Sequence, residues 1–478
     1  MIYYRKKHTK PGLQVILNMS LKFWLFIMLL AALTQACEKW IDPEININPN
    51  EPADVTMEAM LPFIEADVAF KMGGSFEIIG NQAVWLQQID GIDRQALSIS
   101  NYIFDPSNII KIWDDAYAEI LMDAKVLAGK AKDEGSPHNL GIANILTAIT
   151  LGQLTDAWDA IPWSQALQGD AITQPVYDEQ ESVYIAMQMM LDQAIDSLSA
   201  ETDNPGIKGD YYYDGDPSKW IKAAYALKAR YYLHLSKRIG DQAYEKALEE
   251  IPLAFSGNED DLQFNYGTGE TESNPFYQFM QERDNVRMGA FLIDMMKEDN
   301  DPRLVVYAKP DDDGNYTGSA PGQADVTASR PGTAFTAPDA PTYIITYVEM
   351  LFTMTEAMLK TGTDEPGIRT LLLEAVMASL DKFNVTDQAW LDYYGQKISL
   401  LTGEELFEEI MTQKYIATFY QPEAYHSWRR TGYPVILPNP AGQTGEIPRR
   451  FLYSTSELVH NQNVPKGISI TDRVWWDE

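Results

Sequence analysis

The chain has 478 residues, 45% of them hydrophobic, with 69 acidic against 37 basic side chains and a formal net charge of −32 at pH 7. Such a composition supports a sizeable core and excludes a disordered or collagen-like polymer. The acidic balance disfavours nucleic acid as a partner and opposes adhesion to an anionic lipid surface.

At the N-terminus, Arg5, Lys6, Lys7, Lys10 and Lys22 precede an uncharged apolar run from Phe23 to Leu33, after which small and polar residues lead to Cys37. This is the layout of a secretory signal peptide over residues 1–36, with Met19 an alternative start. The run is well short of the ~20 residues a membrane-spanning helix needs. Cys37 is the chain's single cysteine, so no intramolecular disulfide is expected. Ala36 supplies the small residue that a bacterial lipoprotein box places before its cysteine, although Thr34 stands where an aliphatic residue is usual. An acyl group on Cys37 would then tether the protein without a spanning helix. Processing removes five basic and no acidic side chains, leaving 32 basic against 69 acidic. Residues 37–55, with Pro43, Pro49 and Pro52, read as an extended lipidated tether.

From 56 to 478 the pattern predicts a single, mainly α-helical domain. Helices are expected over 57–72, 108–132 and 139–158. Val183, Met187, Met190, Ala194 and Leu198 mark the next, with Asp178 and Glu181 as its capping box. Asp216 and Pro217 start another, whose apolar face is Ile221, Ala224, Leu227, Tyr231 and Leu235. Further helices fit 241–251, 286–298, 346–361, 366–383 and 402–420, with Thr346 and Glu349, and Thr402 and Glu405, repeating the capping pattern. Alanines at 143–148 and 223–229 allow close packing of tetratricopeptide-like helix pairs, although the full repeat consensus is missing. Two stretches, about 252–285 and 308–345, break the helical rhythm, the second with clustered Pro and Gly, and long excursions of this kind point to a binding surface.

Several collinear motifs carry a resemblance. They include Asn48-Pro49-Asn50, Leu154-Thr155-Asp156-Ala157-Trp158-Asp159-Ala160-Ile161-Pro162-Trp163, Leu227-Lys228-Ala229-Arg230-Tyr231-Tyr232 and Asn274-Pro275-Phe276-Tyr277. Asn300-Asp301-Pro302-Arg303-Leu304, Trp428-Arg429-Arg430-Thr431-Gly432-Tyr433-Pro434 and Ile447-Pro448-Arg449-Arg450 complete the series. Taken together the chain resembles the SusD/RagB family of Bacteroidota outer-membrane lipoproteins, and in particular its second large subgroup. The resemblance implies a SusD-like fold of helix pairs with loop-rich excursions. It also implies a surface-exposed, lipid-anchored body over a SusC-like TonB-dependent outer-membrane transporter, with an oligosaccharide or a peptide held between them.

A sugar offers apolar C–H faces ringed by hydroxyls, so a binder needs aromatic platforms beside amide, carboxylate or guanidinium groups. Trp85, Gln88, Asp93 and Tyr102 offer that mixture, with Trp85 equally readable as a core anchor. Tyr277 and Arg283 in the first excursion, and Tyr316 and Tyr343 in the second, complete the candidate ligand-binding set; Tyr211-Tyr212-Tyr213 is an equally aromatic stretch. Trp113, Trp158, Trp163, Trp220 and Trp428 read as packing residues, and Arg429 and Arg430 as internal ion-pairing groups. Asp311-Asp312-Asp313-Gly314-Asn315 lacks the spacing of an EF-hand loop and reads as a solvated turn. With no His-Glu-x-x-His, Gly-x-Ser-x-Gly or phosphate-binding glycine loop in the sequence, neither catalysis nor a cofactor is expected. The competing readings are a helical glycosidase using two carboxylates and a helical-repeat interaction scaffold without a small ligand.

Replacing Cys37 by Ser is expected to abolish incorporation of labelled fatty acid and to release the protein from the membrane fraction. A Cys37→Ser protein that still sediments with membranes and still carries label contradicts the anchor.

Overall fold

Apolar side chains spaced three and four residues apart close into helices along most of the chain. The computed structural model describes residues 55–204, 206–362 and 365–478. The expected signal peptide, Cys37 and the expected tether as far as residue 54 lie outside them. Within the described residues, Thr56–Glu478 forms one compact unit, and no helix is long and apolar enough to cross a membrane.

The first half holds α1 (Met57–Asp67), α2 (Met122–Asp133), α3 (Pro137–Trp158), α4 (Gln180–Leu198), α5 (Pro217–His234) and α6 (Asp241–Glu250). Each packs chiefly on its chain neighbour: α2 on α3, α3 on α4, α4 on α5 and α5 on α6. α3 is buried on every face, as befits the central helix of a stack. Its glycines permit that position: a methyl group at Gly141 would lie 2.6 Å from Leu198 Cγ of α4. In the second half α7 (Pro275–Arg283) and α8 (Ala290–Glu298) precede α9 (Tyr347–Lys360), α10 (Glu365–Lys382), α11 (Gln388–Ser399), α12 (Gly403–Ala417) and α13 (Pro422–Thr431). Here α9 packs on α10 and α12, α10 on α11, and α12 on α13. Phe352, Leu372, Tyr394 and Ile410 centre a second hydrophobic cluster between these helices.

Several sequence expectations are revised. The helix expected over 108–132 is interrupted by a π-helical turn at Ala116–Leu121. Residues 286–298 split into a strand and α8. Thr346 caps α9, its hydroxyl accepting from Glu349 N at 3.2 Å, whereas Thr402 makes no side-chain cap. Asp178 does not cap α4 either: its carboxylate accepts from the backbone of Trp163 and Ser164 at 2.9 and 2.8 Å, and so ties down the Ile161-Pro162 corner. α11 and α13 were not expected. The first shows the regular spacing Trp390, Tyr394, Ile398; the second is buried around its whole circumference, its polar stripe Glu423, His426, Ser427 and Arg430 included, so polarity does not mark its solvent side.

The two excursions hold each other. Strand β1 (Ile89–Gly91) pairs antiparallel with β3 (Val286–Met288), Ile89 opposite Met288. β2 (Leu262–Phe264) of the first excursion pairs with β4 (Thr342–Ile345) of the second, Phe264 opposite Thr342. Strands of three or four residues are too short for a period of two to stand out in sequence.

A buried charge network joins the two halves. Glu423 on α13 accepts from Lys414 Nζ of α12 at 2.9 Å and from Ser427 Oγ at 2.7 Å, and pairs with His234 Nε2 of α5 at 2.9 Å. Arg230 of α5 donates Nε to Glu349 of α9 at 2.6 Å and Nη2 to the Ile344 carbonyl of β4 at 2.8 Å. Asp156 of α3 accepts from Tyr184 of α4 and from Trp476 Nε1 at 2.7 Å. Burial works to lower the His234 pKa, and Glu423 and Asp156 outweigh it, so the imidazole holds its proton more firmly than usual. Burial works to raise the Asp156 carboxyl, and the imidazoles of His426 and His234 carry it well below the usual range. Burial pushes His426 down to about 3. Asp156, His234 and His426 lie close enough together to be weighed as a metal site. However, His234 has one ring nitrogen at Tyr184 and the other at Glu423, and Asp156 is engaged by Tyr184 and Trp476, so the arrangement serves as internal pairing.

Two predictions follow from this network. Because His426, Asp156 and Glu423 all bind protons less readily in the folded than in the unfolded chain, their contribution is present at neutral pH and is lost on acidification. His426 acts from about pH 6.5 downward and the carboxylates from about pH 4. His234 has the opposite sign, its contribution fading as pH rises through its raised pKa. The urea midpoint is therefore expected to fall from about pH 7 to about pH 4, with a shallower upper part in His426→Asn; a flat wild-type profile contradicts this assignment. Separately, Glu423→Ala, which strands Lys414 and His234, is expected to cost about 3–5 kcal/mol in the same measurement.

Candidate functional site

A surface groove of about 730 Å³ opens beside the C-terminal end of α1, lined by Phe70, Tyr211, Phe264 and Tyr266 and rimmed by Asp67, Lys71, Asn265, Thr271, Glu272 and Ser273. Its size and mixture suit a small organic ligand.

Each aromatic is placed by a local device. Asp210 collects the turn before α5: its carboxylate accepts from the backbone of Tyr212, Tyr213 and Gly215 at 2.9, 3.0 and 2.9 Å and from Trp220 Nε1 at 2.8 Å. That turn sends Tyr212 and Tyr213 inward and leaves Tyr211 60% exposed. Tyr211 N donates to Glu65 Oε2 at 2.7 Å. Burial, reinforced by the neighbouring Asp210, holds the Glu65 carboxyl well above its usual range. Phe264 is set by the β2–β4 pairing. The Tyr211 ring stands edge-on to it at 6.2 Å, and the Tyr266 ring lies 5.0 Å from it. The Tyr266 hydroxyl reaches Thr342 Oγ1 at 3.1 Å, which fixes its tilt. Phe70 and Lys71 lie on the π-helical turn Val68–Gly73 that continues α1. Lys71 Nζ meets Asp67 at 2.8 Å, Asp115 at 3.2 Å and also Glu119. Burial works to lower the Lys71 pKa, and the bonds to Asp67 and Glu119 reverse it, keeping the ammonium charged.

The residues singled out from the sequence are dispersed. Trp85 is fully buried, with Phe451, Tyr425 and Phe104 at 5.2, 5.8 and 6.0 Å; it is a core anchor and offers no face to a ligand. Gln88 is consumed by backbone, donating to the Tyr415 carbonyl at 3.0 Å and accepting from Tyr420 N at 3.1 Å. Tyr102 is 3% exposed, and its hydroxyl accepts from Asn439 N at 2.8 Å. These three read as scaffold. Asp93 is exposed and caps the helix Arg94–Ser100. Arg283, also exposed, donates to Gln95 of that helix at 3.1 Å, so Asp93 and Arg283 share a polar ledge. Tyr277 is half-buried on α7, whose cap Asn274 accepts from Phe276 N and Tyr277 N. Tyr316 is half-buried against the core. Tyr343 on β4 has Lys382 Nζ 3.8 Å from its ring centre, which covers one face.

Of the residues read as packing or pairing groups, Trp113, Trp158, Trp220 and Trp428 are buried, and Trp163 is half-buried. Arg430 pairs with Glu356. Arg429 instead donates to the Arg449 carbonyl and stacks on Tyr425 and Trp476, each 4.5 Å away. Asp311 accepts from Asp313 N, Asn315 N and Thr317 Oγ1, so its own loop uses the carboxylate.

The groove residues Phe70, Phe264 and Tyr266 were missed. The alternation Leu262, Phe264, Tyr266 against Gln263, Asn265 was the available signal, and the burial split within Tyr211-Tyr212-Tyr213 was not.

The chain is thus a stack of helices carrying an aromatic groove on paired excursions. Solved structures share this fold over nearly their whole length. A chitin-binding protein superposes with a TM-score of 0.77 at 24% identity, covering 88% of this chain and 100% of the other. A SusD/RagB family protein from Bacteroides thetaiotaomicron gives 0.79 at 23%, covering 89% and 99%. A chitin-binding SusD homolog from Flavobacterium johnsoniae gives 0.75 at 21%, covering 88% and 98%. Residues 49–454 match the SusD-like family described as starch-binding and associating with the outer membrane, and the chain belongs to that family. No curated protein matches it.

Trp85→Ala is expected to lower stability by about 3–5 kcal/mol through the cavity it leaves, while Tyr211→Ala, at an exposed position, stays within about 0.5 kcal/mol of the parent. Chemical denaturation of both variants checks the division between scaffold and groove; equal losses contradict it.

Proposed function

We propose that this chain is a cell-surface, oligosaccharide-binding lipoprotein, anchored through Cys37, that holds glycan in the Tyr211 groove and passes it to a TonB-dependent outer-membrane transporter. The observation that carries the reading is the exposed Tyr211 ring set beside Phe264 and Tyr266 in a groove rimmed by amide, hydroxyl and carboxylate groups. Aromatic faces take the C–H surface of a pyranose, and the rim supplies directional hydrogen bonds. Family membership and similarity to two structures described as chitin-binding support a glycan as the cargo.

The role is binding without chemical change. Asp67 is engaged by Lys71, so it is committed to holding the groove wall. The ledge of Asp93 and Arg283, with Tyr277 nearby in sequence, is a further contact surface for a longer chain.

Tyr211→Ala and Tyr266→Ala are each expected to weaken oligosaccharide binding about tenfold or more by calorimetry, the loss of one well-placed aromatic contact, with the fold intact. Affinity unchanged in both variants removes the groove from the mechanism. Gentle detergent extraction of native membranes is expected to recover a β-barrel transporter with the protein; its absence under every condition tried removes the partnership.

A further inference from the structure

We propose that the groove selects its glycan by charge, accepting uncharged or amine-bearing oligosaccharides and rejecting those that carry uronate or sulfate groups. This rests on the reading of the groove as the glycan site. Lys71 is the one basic side chain among the residues that line it. It is already committed: Asp67, Asp115 and Glu119 surround its ammonium, and its side chain is 14% exposed. Among the described residues that line the groove, an incoming carboxylate or sulfate therefore finds no uncommitted cation.

It finds a surplus of negative charge instead. Asp67, Asp115 and Glu119 face Lys71 and Lys111 at the α1 end, three carboxylates to two ammoniums, with Lys111 Nζ 2.7 Å from Asp115, and the exposed Glu272 adds a further carboxylate to the lining. The Glu119 side chain remains 42% exposed although it contacts Lys71. Asp67 already registers the crowding: burial raises its pKa, Lys71 opposes the rise, and Glu119 adds to it. A further anion placed over the Tyr211 and Phe264 rings would add repulsion in a partly desolvated groove, where it is screened less than in open water. The aromatic faces point the same way, since ring quadrupoles attract ammonium groups and C–H faces but repel anions. A neutral pyranose chain meets no such penalty. An amino sugar gains from Glu119, Glu272 and the rings together.

The test is an oligosaccharide array spanning neutral, amine-bearing, uronate-bearing and sulfated backbones of matched length, probed with the parent protein, Tyr211→Ala and the double variant Glu119→Gln/Glu272→Gln. Calorimetry then follows at low and high salt on the strongest binder and its acidic counterpart. Binders whose signal depends on Tyr211 are expected to be neutral or amine-bearing. Acidic counterparts should bind at least about tenfold more weakly at low salt, with the gap narrowing to about threefold or less in the double variant and in high salt. Tyr211-dependent binding of a uronate or sulfated glycan as tight as that of its neutral counterpart overturns the charge selection and leaves the groove standing as the site. Binding that is absent throughout, or indifferent to Tyr211→Ala, overturns the site reading and the selection together.

Discussion

Glu423 is the buried charge around which the rest of this structure is arranged. Removing a carboxylate from water is costly unless cations and hydrogen bonds replace its hydration. Here Lys414, His234 and Ser427 do so from α12, α5 and α13, with Arg230 close enough to contribute at 4.0 Å. Three acids (Asp156, Glu349, Glu423) sit among three basic partners (Arg230, His234, Lys414). The partners lie far apart in the chain, so the network balances only when both halves of the helix stack are in register. Such a cluster adds little net stability over a well-packed apolar core, but a wrong packing would strand a buried charge, which penalises alternatives heavily.

The network also reaches the groove beside Tyr211. Arg230 holds Glu349 with one edge of its guanidinium and donates to the Ile344 carbonyl as well. Ile344 lies in β4, whose pairing with β2 places Phe264. Asp261, just before β2, accepts from Tyr347 N at 2.6 Å and pairs with Lys382 at 2.5 Å, so the start of that strand is fixed to α9 and α10. The groove therefore stands on excursions pinned at their roots, and its aromatic rings are held in place by the fold itself. Preorganisation of this kind spares a binder the ordering cost that flexible loops would incur.

The second wall follows a different logic. Lys71 sits on the π-helical turn after α1 and draws in carboxylates from the helical segment at 115–119. A single lysine thus joins two elements, and the price is a groove whose one cation is spent internally.

Helix positions were legible because amphipathic spacing is a local property, and α3, α4, α5 and α9 needed no tertiary information. The motifs sufficed for the family, and the excursions were found from their break in the helical rhythm. Local pattern cannot reveal which side of a turn faces solvent. Tyr211, Tyr212 and Tyr213 are chemically alike and adjacent, yet Asp210 sends two inward and one outward. Trp85 and Tyr102 have the composition of a sugar platform, but long-range packing against Phe451, Tyr425 and Asn439 covers them. The sequence by itself determined the helical class and the family. Only the tertiary structure decided where the groove lies and which aromatics line it, because burial is set by residues hundreds of positions away and by charge pairs whose partners no spacing rule connects.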